Sequence, residues 1–360
     1  MMEPQTGTPQ SDGPNPGPRS LARYARQYRF APLGEAGQRR LMERTAVVIG
    51  CGALGSVIAE TLCRAGVGRL RIIDRDFVEL TNLQRQSLYD EEDVATGLPK
   101  AIAAKRKLRR INSQIEIEAM VADVHHENIE AFLADADVLV DGLDNFETRF
   151  LLNDAAVKHG LPWVYGGCMG AEGQTMTVLP GQSACLTCLL GQLPPPGSSP
   201  TCDTVGVLGP IVNVIGSLEA MEAIKLLAGA TESLNTNLMI YDVWANRAQT
   251  IFTAGLREAA NCRTCVQRDF VHLAGEGASH TAVLCGRNAV QLSFPGRPAL
   301  DLDALARQWE TLGAVTRNPF LLKGALEDCE ITVFPDGRAI IGGTDDVAQA
   351  RTIYARYVGV

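Results

Sequence analysis

Two acids, two cations and a glycine turn are the residues of this chain that could together do chemistry. Gly50-Cys51-Gly52-Ala53-Leu54-Gly55 is followed after 19 residues by Asp74, then by Arg85, Lys100 and Asp144. Gly50 and Gly52 permit a sharp strand-to-helix turn with close approach to phosphate, and Gly55 permits tight packing of helix on sheet. A hexapeptide of this kind alone fits any dinucleotide. An acid at the end of the next strand suits ribose hydroxyls. Arg85 and Lys100 suit the β,γ-phosphates, where charge develops as pyrophosphate leaves. Asp144, just beyond a further strand, suits Mg²⁺. The set therefore points to a nucleoside triphosphate that is cleaved. No Gly-Lys-Ser/Thr occurs, which excludes a Walker-type loop.

Sulfur supplies the second constellation. Cys185-Leu186-Thr187-Cys188 and Cys262-Arg263-Thr264-Cys265 are two C-x-x-C pairs, the ligand set of a closed, structural zinc site. Their long separation means that the metal would clip the end of a domain onto an earlier loop. Cys202 stands apart in a polar stretch after a proline-rich segment, the setting of a nucleophile if its pKa is lowered. Cys51, Cys63, Cys285 and Cys329 read as packing residues, Cys168 is ambiguous between sheet-end and structural roles, and none of the five histidines has metal-ligand spacing.

The elements that must position these groups are legible from periodicity. Strands are expected at 44–50, 70–74, 115–121 and 138–141, and helices at 54–65, 100–111 and 128–134. This alternation predicts an α/β fold with a Rossmann-like, mostly parallel, doubly wound sheet. Strand-like runs follow at 163–165 and 174–179, a mobile loop over 193–200, a long helix over 211–227 and a hairpin over 237–253. Three units are expected: a disordered tail at 1–19, a nucleotide-binding domain at 20–269 and a small α+β domain at 270–360. The last is read as a helix at 302–309, a hairpin over 329–341 turning at Asp336-Gly337, and a final helix capped near Thr344-Asp345-Asp346.

Composition narrows the partners. A net charge of −8 with 21% charged residues offers no basic arm for nucleic acid or an anionic membrane. No apolar run reaches a membrane span and residues 1–20 lack a signal-peptide core, so a cytoplasmic location is expected.

Taken together, Arg23 to Arg26 with Gln27, the glycine hexapeptide, Asp74, Asn82-Leu83-Gln84-Arg85-Gln86, Lys100, Asp144-Asn145 with Arg149, Glu172-Gly173-Gln174, both cysteine pairs, and Cys202 ahead of Gly206-Val207-Leu208-Gly209-Pro210 resemble the ubiquitin-activating-like adenylyltransferases of the MoeB, ThiF and HesA group. The resemblance covers Arg23 to Cys265. It implies binding of ATP-Mg²⁺ and adenylation of the Gly-Gly carboxylate of a ubiquitin-fold sulfur carrier. Asp74 would hold the ribose, with Asn82, Arg85 and Lys100 on the phosphates and Asp144 on Mg²⁺. Gly50, Gly52, Ala53, Gly55, Gln86 and Asn145 would complete the nucleotide site. It also implies a homodimer in which Arg26 reaches the partner's site, and a crossover-loop cysteine, Cys202, that links covalently to the carrier in some members. Cys51 beside the turn departs from the pattern and suggests sensitivity to oxidants. Residues 271–360 do not read as a rhodanese domain, and resemble an accessory domain of longer bacterial relatives.

Three other functions remain open at this level. A thioester-forming E1 for protein tagging would give a thiol-labile adduct at Cys202. A nucleotide-sensing module would bind ATP without releasing pyrophosphate. An NAD oxidoreductase would need a hydride site, and nothing in the chain clearly supplies one.

Overall fold

The computed structural model describes residues 20–193, 205–275, 281–284, 288–294, 299–326 and 329–359. The proline-rich stretch from Pro194 and the tail at 1–19 lie outside them. Eight strands form the first sheet: β1 (Thr45–Ile49), β2 (Arg69–Asp74), β3 (Glu116–Val121), β4 (Val138–Asp141), β5 (Trp163–Met169), β6 (Glu172–Val178), β7 (Leu238–Asp242) and β8 (Arg247–Ile251), in the order β3-β2-β1-β4-β5-β6-β7-β8. The first five in that order are parallel, and β6 to β8 add antiparallel strands. β1 is wholly apolar but for Thr45 and every residue is buried, as a central strand covered on both faces requires.

The covering helices explain the two cores. On one face lie α1 (Gly34–Leu41), α2 (Ala53–Ala65), α4 (Lys100–Ile111) and α8 (Gly209–Ala228). On the other lie α5 (Ile129–Phe132), α6 (Phe146–His159) and α7 (Leu186–Leu190). Short helices α3 (Glu91–Thr96) and α9 (Leu256–Ala259) fill connections. α2 stops where expected: Gly66 takes φ +86° and its N–H closes the helix onto Leu62 and Cys63. α6 has no counterpart among the expected elements. Phe150 to Val157 are all buried, Asn153 and Asp154 included, so the helix lacks the polar stripe by which periodicity is read.

The second sheet contains β9 (Thr281–Leu284), β10 (Ala289–Leu292), β11 (Gly313–Asn318), β12 (Leu321–Leu326), β13 (Cys329–Val333) and β14 (Ala339–Gly342), ordered β11-β12-β13-β14-β10-β9 and antiparallel throughout. Helices α10 (Leu302–Trp309) and α11 (Val347–Tyr357) pack on it around Trp309, whose indole donates to the Tyr357 carbonyl at 2.9 Å. The expected hairpin over 329–341 is β13–β14, turning through Gly337 at φ +84°, and Asp346 caps α11. The β11–β12 hairpin was not anticipated. Phe270 and Leu273 still pack into the core of the first sheet. Among the described residues no helix is long and apolar enough to cross a membrane.

Candidate functional site

The sheet reverses direction beside β1, and the carboxyl ends of β1, β2 and β4 open there, where ligands of such sheets bind. Gly50 leaves β1 at φ +85°, and a Cβ on it would stand 2.6 Å from the Gly142 carbonyl oxygen. A Cβ on Gly55 would overlap the Gly50 carbonyl, so the first turn of α2 lies directly on the loop. Gly52 is the N-cap of α2, with no side-chain cap on the helix, and Ala53 is its first residue. The free amides therefore face outward as an anion-binding end.

Asp74 ends β2 and is buried. Its Oδ2 accepts from the Cys51 amide at 2.6 Å and Oδ1 from the Asp76 amide at 2.7 Å. Burial pushes its pKa up, and the Lys100 charge opposes the rise. Lys100, only 4% exposed, pairs its Nζ with Asp76 Oδ2 at 3.1 Å. A short two-stranded ribbon sets this pair: Val78 donates to Leu98 O, Lys100 N donates to Asp76 O, and Phe77 bridges Pro99. The Tyr89 hydroxyl lies 2.7 Å from Cys51 O and 3.2 Å from Lys100 O, tying the glycine loop to the start of α4.

Asn82 and Gln86 close the crevice. Asn82 is 1% exposed; its Oδ1 accepts from Glu79 N at 3.0 Å, while Nδ2 has no hydrogen-bond partner among the described residues. Gln86 is buried, its Nε2 is 3.7 Å from where a Gly52 Cβ would stand, and its Oε1 is likewise unpartnered. Buried amides left unmet in this way fit a bound polar ligand. Arg85 is half-buried with Nη1 on Thr81 O at 2.8 Å. Asp144 is exposed beyond β4, with only a long 3.4 Å contact from Asn145 Nδ2, and so keeps lone pairs available to a cation. Asn145 itself caps α6 through the Thr148 amide. Beneath Asp144 a buried Asp141–Arg149 pair at 3.0 Å, with Arg149 also donating to Leu143 O and Gly166 O, fixes this loop.

The structure thus brings together Gly50, Gly52, Ala53, Gly55, Asp74, Asn82, Arg85, Gln86 and Lys100 around one crevice, with Asp144 and Asn145 on its rim. It does not bring Arg26 there. Tyr24 packs on Gly66 and Asn112, at the far ends of α2 and α4. Arg26 is exposed nearby, about 20 Å, the length of α2, from the glycine loop of its own chain. Cys202 lies outside the described residues. The chain resumes at Val205, Leu208 N bonds Gly170 O, and Gly209 packs against Gln84 O, next to Arg85. Cys51 is fully buried with its thiol pushed up to about 12 by burial, which overturns the expected oxidant sensitivity. Asp76, Tyr89 and Gly142 were missed. Asp76 lies two residues from Asp74 in sequence, but the other two matter only through contacts across elements.

The four cysteines of the two pairs are buried and their sulfurs lie within 4.8 Å of one another. Cys185–Cys188 and Cys185–Cys262 are 3.7 Å apart and Cys188–Cys265 3.4 Å. These spacings are far too long for a disulfide. They match the ~3.8 Å edge of a tetrahedron with metal–sulfur bonds of about 2.3 Å. Outer contacts fix the ligands: Asn153 Nδ2 donates to Thr187 and lies 3.7 Å from Cys185 Sγ, and Asp154 accepts from Thr264 and from the His272 amide.

A doubly wound nucleotide-binding sheet joined to a four-thiolate cluster defines an adenylating enzyme. A model of the ThiF family matches residues 24–264, and the chain belongs to that family and with it to the adenylyltransferases. It is 47% identical over 338 residues to the sulfur carrier protein ThiS adenylyltransferase of Bacillus subtilis, spanning 94% of this chain and 99% of the relative. The SAMP-activating enzyme E1 of Haloferax volcanii is 39% identical over 68% of this chain and 88% of its own length. Among solved structures, Escherichia coli MccB with ATP aligns with a TM-score of 0.56 at 23% identity over 64% of this chain and 71% of that one, a likeness of fold alone.

Proposed function

We propose that this enzyme adenylates the C-terminal Gly-Gly carboxylate of a ubiquitin-fold sulfur-carrier protein. The carrier carboxylate attacks the α-phosphorus of ATP, the bond to the bridging oxygen breaks, and pyrophosphate leaves with its electron pair, giving an acyl-adenylate. The observation that carries the reading is the ribbon pairing buried Lys100 with Asp76 beside Asp74 and the glycine loop, a site built for phosphates. The 47% identity with the Bacillus adenylyltransferase, over nearly both whole chains, supports the carrier as substrate.

Asp74 accepts ribose hydroxyls with the lone pairs its two amide bonds leave free. The amides of residues 51–53 and Asn82 Nδ2 hold phosphate oxygens. Lys100 and Arg85 stabilise the charge that gathers on the leaving pyrophosphate. Mg²⁺, held by Asp144, would supply charge neutralisation to the triphosphate. The attacking group is already a carboxylate, so the site needs positioning and charge rather than a general base. By the same logic adenylation needs no enzyme thiol, and Cys202→Ser is expected to retain pyrophosphate exchange.

Zinc on Cys185, Cys188, Cys262 and Cys265 clips the segment after β8 to α7, a structural role since all four positions are sulfur. A dimer follows from Arg26: placed a helix length from its own loop, it can serve only a partner's nucleotide. We also propose the division at 269/270 between the adenylating domain and the accessory one. Lys100→Ala and Asp144→Ala test the site: each should reduce carrier-dependent exchange at least about a hundredfold. Exposed Asp144 should do so with an unchanged unfolding midpoint. Wild-type exchange in either variant removes that residue's role.

A further inference from the structure

Resting on the adenylation reading of Asp74, this inference concerns the second domain, which seats itself on the ribbon of the nucleotide site. Asn318 Nδ2 donates to Gly97 O at 3.0 Å, and the Lys323 ammonium lies 5.6 Å from the Phe77 ring centre. Phe334, Leu321 and Ile340 pack with Phe77 and Val121. Gln291 donates to Asp123 Oδ2 at 2.9 Å, and Asp123 Oδ1 in turn accepts from Arg75. At the centre Arg338, 2% exposed, lies 3.6 Å over the Phe334 ring and donates from Nη2 to the Arg75 carbonyl at 2.6 Å.

That carbonyl belongs to the peptide whose other end is the Asp76 N–H, the donor to Asp74 Oδ1. A continuous line therefore runs from Arg338 through the 75–76 peptide to Asp74, and from Asp74 Oδ2 to the Cys51 amide of the glycine loop. A cation on the carbonyl polarises the peptide and strengthens the N–H bond at its far side. Arg338 Nε and Nη1 make no hydrogen bond among the described residues, so burying this guanidinium is expensive for packing alone, where an apolar side chain would serve. We propose that Arg338 is a positioning residue of the nucleotide site: from the second domain it locks the 75–76 peptide and so orients Asp74 toward the ribose.

A purely structural Arg338 would affect all nucleotides alike, whereas this role acts through the ribose hydroxyls. In the full chain, Kd is measured for ATP and for 2′,3′-dideoxy-ATP. Wild type is expected to favour ATP, and Arg338→Met to weaken ATP binding about tenfold while leaving the dideoxy nucleotide unchanged. Should Arg338→Met fail to fold, Arg338→Gln, which keeps a neutral donor, is expected to lose about threefold of the discrimination. Equal losses for both nucleotides, or undiminished discrimination in the folded variant, overturn the proposal while leaving the adenylation reading intact. A wild type that does not discriminate overturns the assignment of Asp74 to the ribose, and this inference with it.

Discussion

Lys100 shows how far single residues could be read. Its type and its position after the second strand made it a phosphate ligand on sequence, but the acid that holds it, Asp76, emerges only from the ribbon in which Lys100 N meets Asp76 O. Asp74 was legible because strand ends are predictable and acids there have a known use. Tyr89 and Gly142 were not, since nothing local distinguishes a tyrosine or glycine that touches a loop from another element. Gly55 was legible for the right reason. Gly55→Ala would drive a methyl into the Gly50 carbonyl, and the loop must shift to admit it. A loss of roughly 2–3 kcal/mol in stability and the disappearance of ATP binding are expected, checked by denaturant unfolding and nucleotide titration. Wild-type affinity in this variant would contradict the packing described.

Among elements, α8 carries a feature invisible to periodicity. Glu219 is wholly buried on the core side of that helix, pressed on Gly166, and neither carboxyl oxygen has a hydrogen-bond partner among the described residues. Burial first, and Asp141 second, push its pKa well above the ordinary carboxylate value, with Arg149 opposing. A raised folded-state pKa makes the stabilising contribution complete below the unfolded pKa of about 4.3 and progressively lost as pH rises toward the folded value. Glu219→Gln should therefore be more stable than wild type at pH 8, with the advantage vanishing toward pH 4.5. A difference in midpoint that does not vary with pH would contradict the buried acid. α6 was unreadable for a related reason: a helix covered on every side, with Asn153 and Asp154 turned toward the cysteine cluster, has no stripe to detect. Helices with one wet face, such as α4, were read to the residue.

Across the whole molecule, local spacing announced the four-thiolate cluster, while its place in the architecture came from the fold. The cluster joins α7 to the chain beyond β8 and lies in the core of the face opposite α2 and α4. Stripping the metal with a chelator, or Cys265→Ser, should lower the unfolding midpoint by about 10 °C or more, with metal analysis giving one zinc per chain beforehand. A metal-free protein of unchanged midpoint would contradict a structural clip. The second domain was legible as a separate unit, but its seat on the Arg75–Phe77 ribbon was not, because contacts between distant segments leave no period in either.

The central claim is tested most directly by ATP–pyrophosphate exchange with the purified protein, with and without ubiquitin-fold carriers ending in Gly-Gly. The account predicts Mg²⁺-dependent exchange that appears only when a carrier is present and is lost when its terminal glycine is removed. ATP binding without exchange in the presence of every such carrier would contradict it.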